Sequence, residues 1–433
     1  MCLALLSPNS MKSRLPISPE ERVPFLDARR ESKKTSSAHA YVRGSTRRFY
    51  EWLESRRGRS LPEAPSIWIS GDCHVGNLGP LAAKDGDISI ELRDFDQTVI
   101  GSPAHDIARL SLSMAMAVRA SGLPGTATAR AIESIARGYE LVLEASAAQR
   151  PFSPGKPPAQ VLGVLRLARA RSRNQLFVDR IGSKNSTSIP MGKRFWPLTA
   201  DERRAVEKLV STSKVRKLTT SLASRDDDAP VELVDAAYWV KGCSSLGLWR
   251  GAALVRVGGS KSKDGVTAIL DIKEAREPLA PRSKAKTLPS QQGERVIQGA
   301  RAMSPALGER MVAASILNHD VFVRELLPQD LKFELDALEE DEAMAIGQYL
   351  ASLVAVAHAR QLTHTECADW LTAFRKGNAK NMKAPAWLWA SVVDLVALHE
   401  GAYLEHCREH ALAPVERSIM PNGGVVSHHV SGD

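Results

Sequence analysis

Carboxylate and amide side chains capable of phosphate or metal chemistry lie close together in one part of the sequence. The segment GDCHVGN supplies Asp72 and Asn77, and the segment RDFD supplies Asp94 and Asp96. On extended backbone, Asp94 and Asp96 would point to the same side. Two carboxylates on one side repel each other unless a cation lies between them. The spacing therefore predicts a metal site, although each Asp alone could equally belong to an ordinary turn.

Two predicted strands position these residues. Residues 66–70 (SIWIS) indicate a short buried strand that runs into Gly71, and residues 87–92 (DISIEL) alternate as a half-exposed strand does. Strand ends place side chains in crevices, which is where ligands bind. Phosphoryl transfer uses one carboxylate to orient the attacking hydroxyl, and an amide and a second carboxylate to hold Mg²⁺. His74 could relay a proton or bind metal, but a packing role is the ordinary alternative.

GDCHVGN followed by RDFDQTVIGSPAHDIARL resembles the catalytic loop and metal motif of aminoglycoside phosphotransferases and related small-molecule kinases, which belong to the protein-kinase-like superfamily. An uncharacterised bacterial family of unknown function also shares this core. The resemblance implies that Asp72 is the catalytic base, that Asn77 and Asp94 bind Mg²⁺, and that Asp96 is a further metal or supporting group. It also implies that Asp106 steadies the catalytic loop, with a helix-capping role as an equal alternative.

The parts that precede the catalytic loop in ordinary kinases follow it here. The segment KGCSSLG (241–247) resembles a glycine-rich phosphate loop, and AILDIK resembles the strand that carries a phosphate-binding lysine. A helix from about Gln291 would supply that lysine with a glutamate partner, for which Gln298 is the rival position. The resemblance thus implies a circularly permuted kinase. Its nucleotide-binding residues would be Gly242, Ser244, Ser245, Gly247, Lys273 and Glu294.

The expected fold is α+β and bilobal, with a small antiparallel-sheet lobe and a mainly helical large lobe in permuted order. Residues 172–199, rich in Ser, Gly and Pro, indicate a loop or insertion. The predicted divisions are a loosely ordered N-terminal segment (1–35), the catalytic-loop part of the large lobe (36–225), the nucleotide-binding small lobe (226–330), the helical remainder of the large lobe (331–413) and a flexible tail (414–433).

Net charge, cysteine spacing and the length of apolar runs indicate which partners and which cellular location to expect. The formal net charge is +9, which favours anionic partners, but the basic residues are dispersed as on an ordinary solvated surface. Five scattered cysteines without CxxC spacing fit a reducing cytosol, not a disulfide framework or zinc module. No apolar run approaches the roughly 18 residues of a membrane span. We expect a cytoplasmic protein without a specific nucleic-acid site or membrane partner.

These observations predict an ATP- and Mg²⁺-dependent phosphotransferase acting on an unknown small-molecule or protein acceptor. A nucleotide-binding pseudokinase, or an enzyme that transfers AMP, would keep the same fold. A metallophosphoesterase is a third possibility, because GDCHVGN resembles the GDxHGN core of two-metal phosphatases. Those sites need further His and Asp ligands that the sequence does not supply in the expected positions.

Overall fold

The computed structural model describes residues 15–55, 58–182, 187–222, 225–242, 245–258, 265–283, 286–333, 335, 337–377 and 383–410. The first part of the chain contains three helices, four short strands and then four more helices. In order, they are α1 (Pro19–Lys34), α2 (Ala38–Gly44), α3 (Thr46–Glu54), β1 (Ile67–Ile69), β2 (Leu78–Ala82), β3 (Ile88–Leu92), β4 (Val99–Gly101), α4 (Pro103–Ala120), α5 (Gly125–Ala147), α6 (Ala159–Ala170) and α7 (Arg173–Ile181).

The rest of the described chain contains the longer strands and seven further α-helices. In order, the elements are β5 (Phe195–Trp196), α8 (Ala200–Val210), α9 (Ser213–Thr220), β6 (Val231–Trp239), β7 (Arg250–Val257), β8 (Val266–Glu274), α10 (Gln292–Met303), α11 (Pro305–Gly308), β9 (Met311–Ile316), β10 (His319–Glu325), α12 (Glu340–Ala359), α13 (His364–Phe374) and α14 (Ala386–His410). The α+β class is confirmed.

The largest sheet has six strands in the order β5-β6-β7-β8-β10-β9, with every neighbouring pair antiparallel. One face is apolar, and α1, α8 and α9 cover it with residues such as Leu26, Val206 and Leu218. On the opposite face, Phe177 and Ile181 of α7 pack against residues of β6, β7 and β8. The predicted small antiparallel sheet is therefore present, with helices on both faces.

A second, larger core lies among the helices. Helix α12 runs against α5, and α4, α13 and α10 complete the packing around Tyr139, Phe374 and Leu350. The short pairs β1–β4 and β2–β3 lie against this core through Leu78, Leu81 and nearby residues. Within the described ranges, no helix is long and apolar enough to cross a membrane.

The structure differs from the local sequence expectation in several segments. Residues 19–34 form α1 instead of a loosely ordered segment, beginning at a capping box between Ser18 and Glu21. Residues 172–199 contain α7 and β5 instead of a plain loop. Before the expected boundary near residue 225, α8 and α9 pack on the sheet that follows them. The expected tail, 414–433, lies outside the described residues.

Helix α1 is held to the sheet side by a charged contact. The guanidinium of Arg22 donates to both carboxylate oxygens of Glu202 at 2.6 and 2.8 Å, and both residues are 2% exposed. Trp249 donates its indole N–H to the same carboxylate at 2.9 Å. Few apolar residues mark α1 in the sequence, so its buried face escaped detection by hydrophobic periodicity.

Removing one member of this pair leaves a buried charge without its partner. We expect Arg22→Met to lower the free energy of unfolding by about 3–5 kcal/mol, as measured by urea denaturation. Val23→Ala, at a half-exposed position of the same helix, should change it by less than about 0.5 kcal/mol. Equal effects of the two substitutions would contradict the packing of α1 described above.

Candidate functional site

A lysine at the end of the large sheet meets the acidic segment that follows β3. The Nζ of Lys273, near the end of β8, lies 3.6 Å from Oδ1 of Asp94 and forms a closer ion pair with Asp96. The intervening Phe95 is 2% exposed and packs into the helical core. Asp94 and Asp96 therefore face the same side, as the sequence predicted, and parts of the chain far apart in sequence converge here.

The cation between the two carboxylates is the ammonium of Lys273. Burial alone would raise the pKa of Asp94, but the charges of Lys273 and Arg324 outweigh it and lower that pKa to about 2. Burial and the neighbouring charge of Asp94 instead raise the pKa of Asp96. The repulsion from which the sequence predicted a metal is thus already relieved by a lysine, so the repulsion by itself does not require a metal.

Asp72 lies across the cleft from this pair and is held by side chains of two helices. Arg109 of α4 donates its Nε–H to Oδ1 at 2.9 Å, and Thr46 of α3 donates to Oδ2 at 3.1 Å. Asn77 donates its amide to the backbone carbonyl of Asp72 at 2.8 Å. Burial raises the pKa of Asp72 although Arg109 opposes the shift. A fixed carboxylate with a raised pKa is suited to accept a proton.

The backbone before Asp72 needs a glycine. Gly71 has φ of +75°, and a Cβ there would lie 2.1 Å from the carbonyl oxygen of Gln97. Asp106 accepts hydrogen bonds from the backbone N–H groups of Ser70 (2.8 Å) and Gly71 (3.0 Å). Helix α4 is capped by Ser102 instead. Of the two roles considered for Asp106, the structure therefore shows the one in which it braces the loop.

A chain of buried polar groups supports Asp106 from behind. His358 of α12 lies 3.2 Å from Oδ2 of Asp106 through Nε2, and its Nδ1 lies 2.9 Å from the hydroxyl of Tyr139. Trp370 donates to that hydroxyl at 3.1 Å. The loop that carries Asp72 is in this way fixed to the centre of the helical core.

His74 is buried within the loop, at 5% exposure. Burial lowers its pKa well below the usual range, and the nearby charges of Arg43 and Arg109 lower it further. Its Nδ1 is inaccessible and has no partner among the described residues. Burial and these charges thus favour the neutral imidazole, and its surroundings resemble those of a packing residue.

The oxygen atoms at the centre fit a hard divalent cation. With the Asn77 amide nitrogen bonded to the loop, its carbonyl oxygen is left to act as a ligand. Oδ1 of Asp96 is buried and has no hydrogen-bond partner within the described ranges, which is costly for a carboxylate. Asn77, Asp94 and Asp96 could together supply the oxygen ligands that Mg²⁺ prefers.

The glycine-rich segment borders the same cleft. Gly242 and Gly247 adopt φ of +105° and +99°, in the left-handed region that favours glycine. Ser245 lines the cleft, which has about 520 Å³ of empty volume open to solvent between this segment and the three aspartates. Ser244 lies outside the described residues.

Helix α1 holds the glycine-rich segment from the outside. Lys33 donates to the carbonyl of Gly242 at 2.8 Å, and Arg30 donates to that of Leu246 at 2.9 Å. At its C-terminal end, α1 also contacts α14, where the Nε2 of His406 lies 3.1 Å from the carbonyl oxygen of Glu31. The position of the glycine-rich segment thus depends on α1, for which the sequence predicted no role.

The predicted glutamate partner of Lys273 is not found. Among the described residues, no ion pair joins Lys273 to Glu294, and the rival Gln298 is exposed. Helix α10 contributes Arg295 instead, whose NH2 donates to the carbonyls of Asp96 (3.0 Å) and Arg276 (2.9 Å). The helix therefore supports the backbone around the site, while aspartates neutralise the lysine.

Sequence reasoning missed Thr46, Arg109 and Arg295. Arg109 had a visible signal, since it is the one basic residue within the apolar run IARLSLSMAMAV, and a buried arginine requires an acceptor. Thr46 and Arg295 had none, because each acts through contacts with distant parts of the chain. Nothing in the spacing of their neighbours indicates those contacts.

A family model described as "Uncharacterized protein conserved in bacteria (DUF2252)" matches residues 22–409. The chain belongs to the DUF2252 family. No curated protein and no solved structure matches it significantly. The matched range includes α1 from Arg22 onward, β8 and the segments that carry Asp72, Asp94 and Asp96, so these site residues of this DUF2252 protein lie within the part that defines the family.

Asp106→Ala should leave the N–H groups of Ser70 and Gly71 buried without acceptors. Each unpaired group costs about 1–3 kcal/mol, so we expect a clear fall in the free energy of unfolding, measured by urea denaturation. Asp106→Asn retains one carbonyl acceptor and should cost less. If Asp106→Ala is as stable as wild type, Asp106 does not brace the loop.

Proposed function

We propose that this DUF2252 protein is an ATP- and Mg²⁺-dependent phosphotransferase with a circularly permuted, protein-kinase-like arrangement. Its acceptor would be a small molecule or a protein. The observation that carries the proposal is the ion pairing of the buried Lys273 with Asp94 and Asp96, which line the cleft. In phosphoryl transfer, a lysine and metal-binding carboxylates must act on the same phosphate chain.

Asp72 supports the same function from the opposite wall. Its carboxylate borders the cleft that Asp94, Asp96 and Ser245 also line. Asp72 would orient and deprotonate the acceptor hydroxyl, while Asn77, Asp94 and Asp96 would hold Mg²⁺ against the phosphate oxygens. The raised pKa of Asp72 suits a general base better than that of an ordinary surface aspartate.

The order of the elements supports the permuted arrangement. A six-stranded antiparallel sheet carries the glycine-rich segment and Lys273. Along the chain, this sheet follows the segments that carry Asp72, Asp94 and Asp96. Helix α12 comes later still in the chain. Its His358 contacts Asp106, which braces the loop that carries Asp72. Such a rearrangement is tolerated where the ends of the original chain lie close together at the surface.

Transfer of AMP, or nucleotide binding without catalysis, is the second candidate. It is favoured by one observation: the partners of Lys273 are aspartates of the acidic segment, not Glu294. A metallophosphoesterase remains a third prediction, and a requirement for ATP would exclude it.

Nucleotide binding is the first test. We expect wild type to bind ATP in a Mg²⁺-dependent manner by isothermal titration calorimetry, and Asp94→Ala to lose that dependence because a metal ligand is removed. Asp227→Ala removes an exposed carboxylate that does not line the cleft and should behave as wild type. Equal Mg²⁺-dependent binding by wild type and Asp94→Ala would count against the proposal.

The product is the second test. Mass analysis of the modified acceptor distinguishes addition of phosphate, addition of AMP and no reaction. Asp72→Asn should bind ATP·Mg²⁺ as wild type does but lower kcat by a factor of about 10²–10⁴, the usual contribution of a general base. Unchanged kcat in a folded Asp72→Asn variant would remove Asp72 from the proposed mechanism.

A further inference from the structure

The sheet face that carries Lys273 also carries a row of charged residues. Arg250 of β7 is paired across the sheet with Lys273, and Arg324 of β10 is paired with Asp271 of β8. The buried carboxylate of Asp271 accepts hydrogen bonds from Arg250 Nε at 2.8 Å and from Arg324 NH2 at 3.4 Å. One carboxylate is therefore shared by two guanidinium groups.

Three more cations surround this row without a carboxylate of their own. They are Arg93, directly before Asp94, Arg180 of α7, and Lys241, two residues after the end of β6. Among the described residues, no ion pair is formed by any of the three. Arg93 instead donates to the backbone carbonyl of Asp330 at 3.2 Å, and Lys241 lies over the ring of Trp239 at 4.1 Å.

The neighbouring carboxylates already have other partners. Asp330 binds Arg310 at 2.9 Å, Asp179 binds Arg171, and Glu325 binds Arg225 at 2.6 Å. Nearby elements therefore contribute no free carboxylate to balance Arg93, Arg180 and Lys241 within the part of the chain that the structure describes.

Three guanidinium groups in this cluster have an unused donor. The Nε atoms of Arg93, Arg180 and Arg324 are inaccessible to solvent and have no partner among the described residues. Buried donors of this kind are rare unless a ligand, ion or water accepts from them. The side chains themselves are only partly buried, so an anion could reach the cluster from solvent.

Mutual repulsion makes the unoccupied cluster unfavourable. Burial lowers the pKa of Lys241 well below its usual range, and the charges of Arg250 and Arg180 lower it further. Arg324 similarly lowers the pKa of Arg180 after the effects of burial and Arg171. Contacts bring these groups together, because Arg324 donates from Nη1 to the backbone carbonyl of Arg93 at 3.3 Å, and Lys241 and Arg250 lie over the same Trp239 ring at 4.1 and 5.2 Å. A bound anion would offset the repulsion among them.

We propose that Arg93, Arg180, Arg324 and Lys241 form a binding site for a phosphate group, next to the Lys273 centre but separate from it. Guanidinium groups donate in a planar fork that matches phosphate oxygens. Several converging cations without carboxylate partners suit a doubly charged group better than a single carboxylate. The phosphate belongs either to a nucleotide or to a phosphorylated acceptor.

Pyrophosphate binding without Mg²⁺ tests this site, measured by isothermal titration calorimetry in phosphate-free buffer. Arg180→Gln and Lys241→Gln break no ion pair and should each weaken binding about tenfold, as expected for loss of one charge-assisted hydrogen bond. Arg166→Gln removes a charge from an exposed helix position and should leave the affinity unchanged. Equal affinities of wild type, Arg180→Gln and Lys241→Gln would overturn the proposal, as would citrate binding as tightly as pyrophosphate.

Two further measurements separate this inference from the proposed function. Asp94→Ala should retain Mg²⁺-free pyrophosphate binding, so loss of ATP·Mg²⁺ binding in that variant would leave the phosphate site intact. Titrating pyrophosphate into wild type that is saturated with ATP·Mg²⁺ identifies the source of the phosphate. If ATP·Mg²⁺ prevents pyrophosphate from binding, the site holds a phosphate of the nucleotide. If both bind together, the site holds the phosphate of a phosphorylated acceptor. A loss of pyrophosphate binding in Asp94→Ala would contradict a separate site.

Discussion

The contact of Lys273 with Asp94 and Asp96 is the constraint on which the site depends, because it joins the large sheet to the acidic segment. The large sheet and the acidic segment meet where α10 packs closely against the residues that follow Asp96. A Cβ at Gly299 of that helix would lie 2.2 Å from Oγ1 of Thr98, just after the acidic pair. Arg295, on the same helix, bonds to the backbone on both sides of the contact. Helix α10 therefore sets the distance between the lysine and the aspartates.

The same contact bears on the proposed reaction. Lys273 contacts Oδ1 of Asp94 and pairs with Oδ2 of Asp96, so Oδ1 of Asp96 is left for a divalent cation. Under the proposed function, Mg²⁺ held by Asp94 and Asp96 would supply part of the positive charge that Lys273 alone supplies here. The ammonium of Lys273 would then be available to phosphate oxygens, so that metal and triphosphate would favour each other's binding.

Local sequence patterns predicted the elements with strong periodicity but not those held by charge. Strands β1, β3 and β8 and helix α10 were expected close to their observed positions, and the alternation of residues 87–92 is the clearest pattern among them. Helix α1 was missed because the buried ion pair of Arg22 with Glu202 holds it to the sheet, and an ion pair leaves no apolar periodicity in the sequence. Glu294 was expected to meet Lys273 from helix order alone, and spacing along a helix cannot reveal which residue reaches a distant strand.

The basic residues are a second feature whose arrangement in space could not be predicted from the sequence. The basic residues are dispersed along the sequence, which favoured an ordinary solvated surface, and no run of them indicated a site. Folding gathers Arg250 and Arg324 around the single carboxylate of Asp271, and contacts of Arg324 with Arg93 and of Trp239 with Lys241 bring two further cations beside them. Antiparallel register places Arg250 and Arg324 beside Asp271, since it sets residues from distant strands side by side on one face. Dispersion along a chain therefore says little about dispersion in space when the residues lie on neighbouring strands.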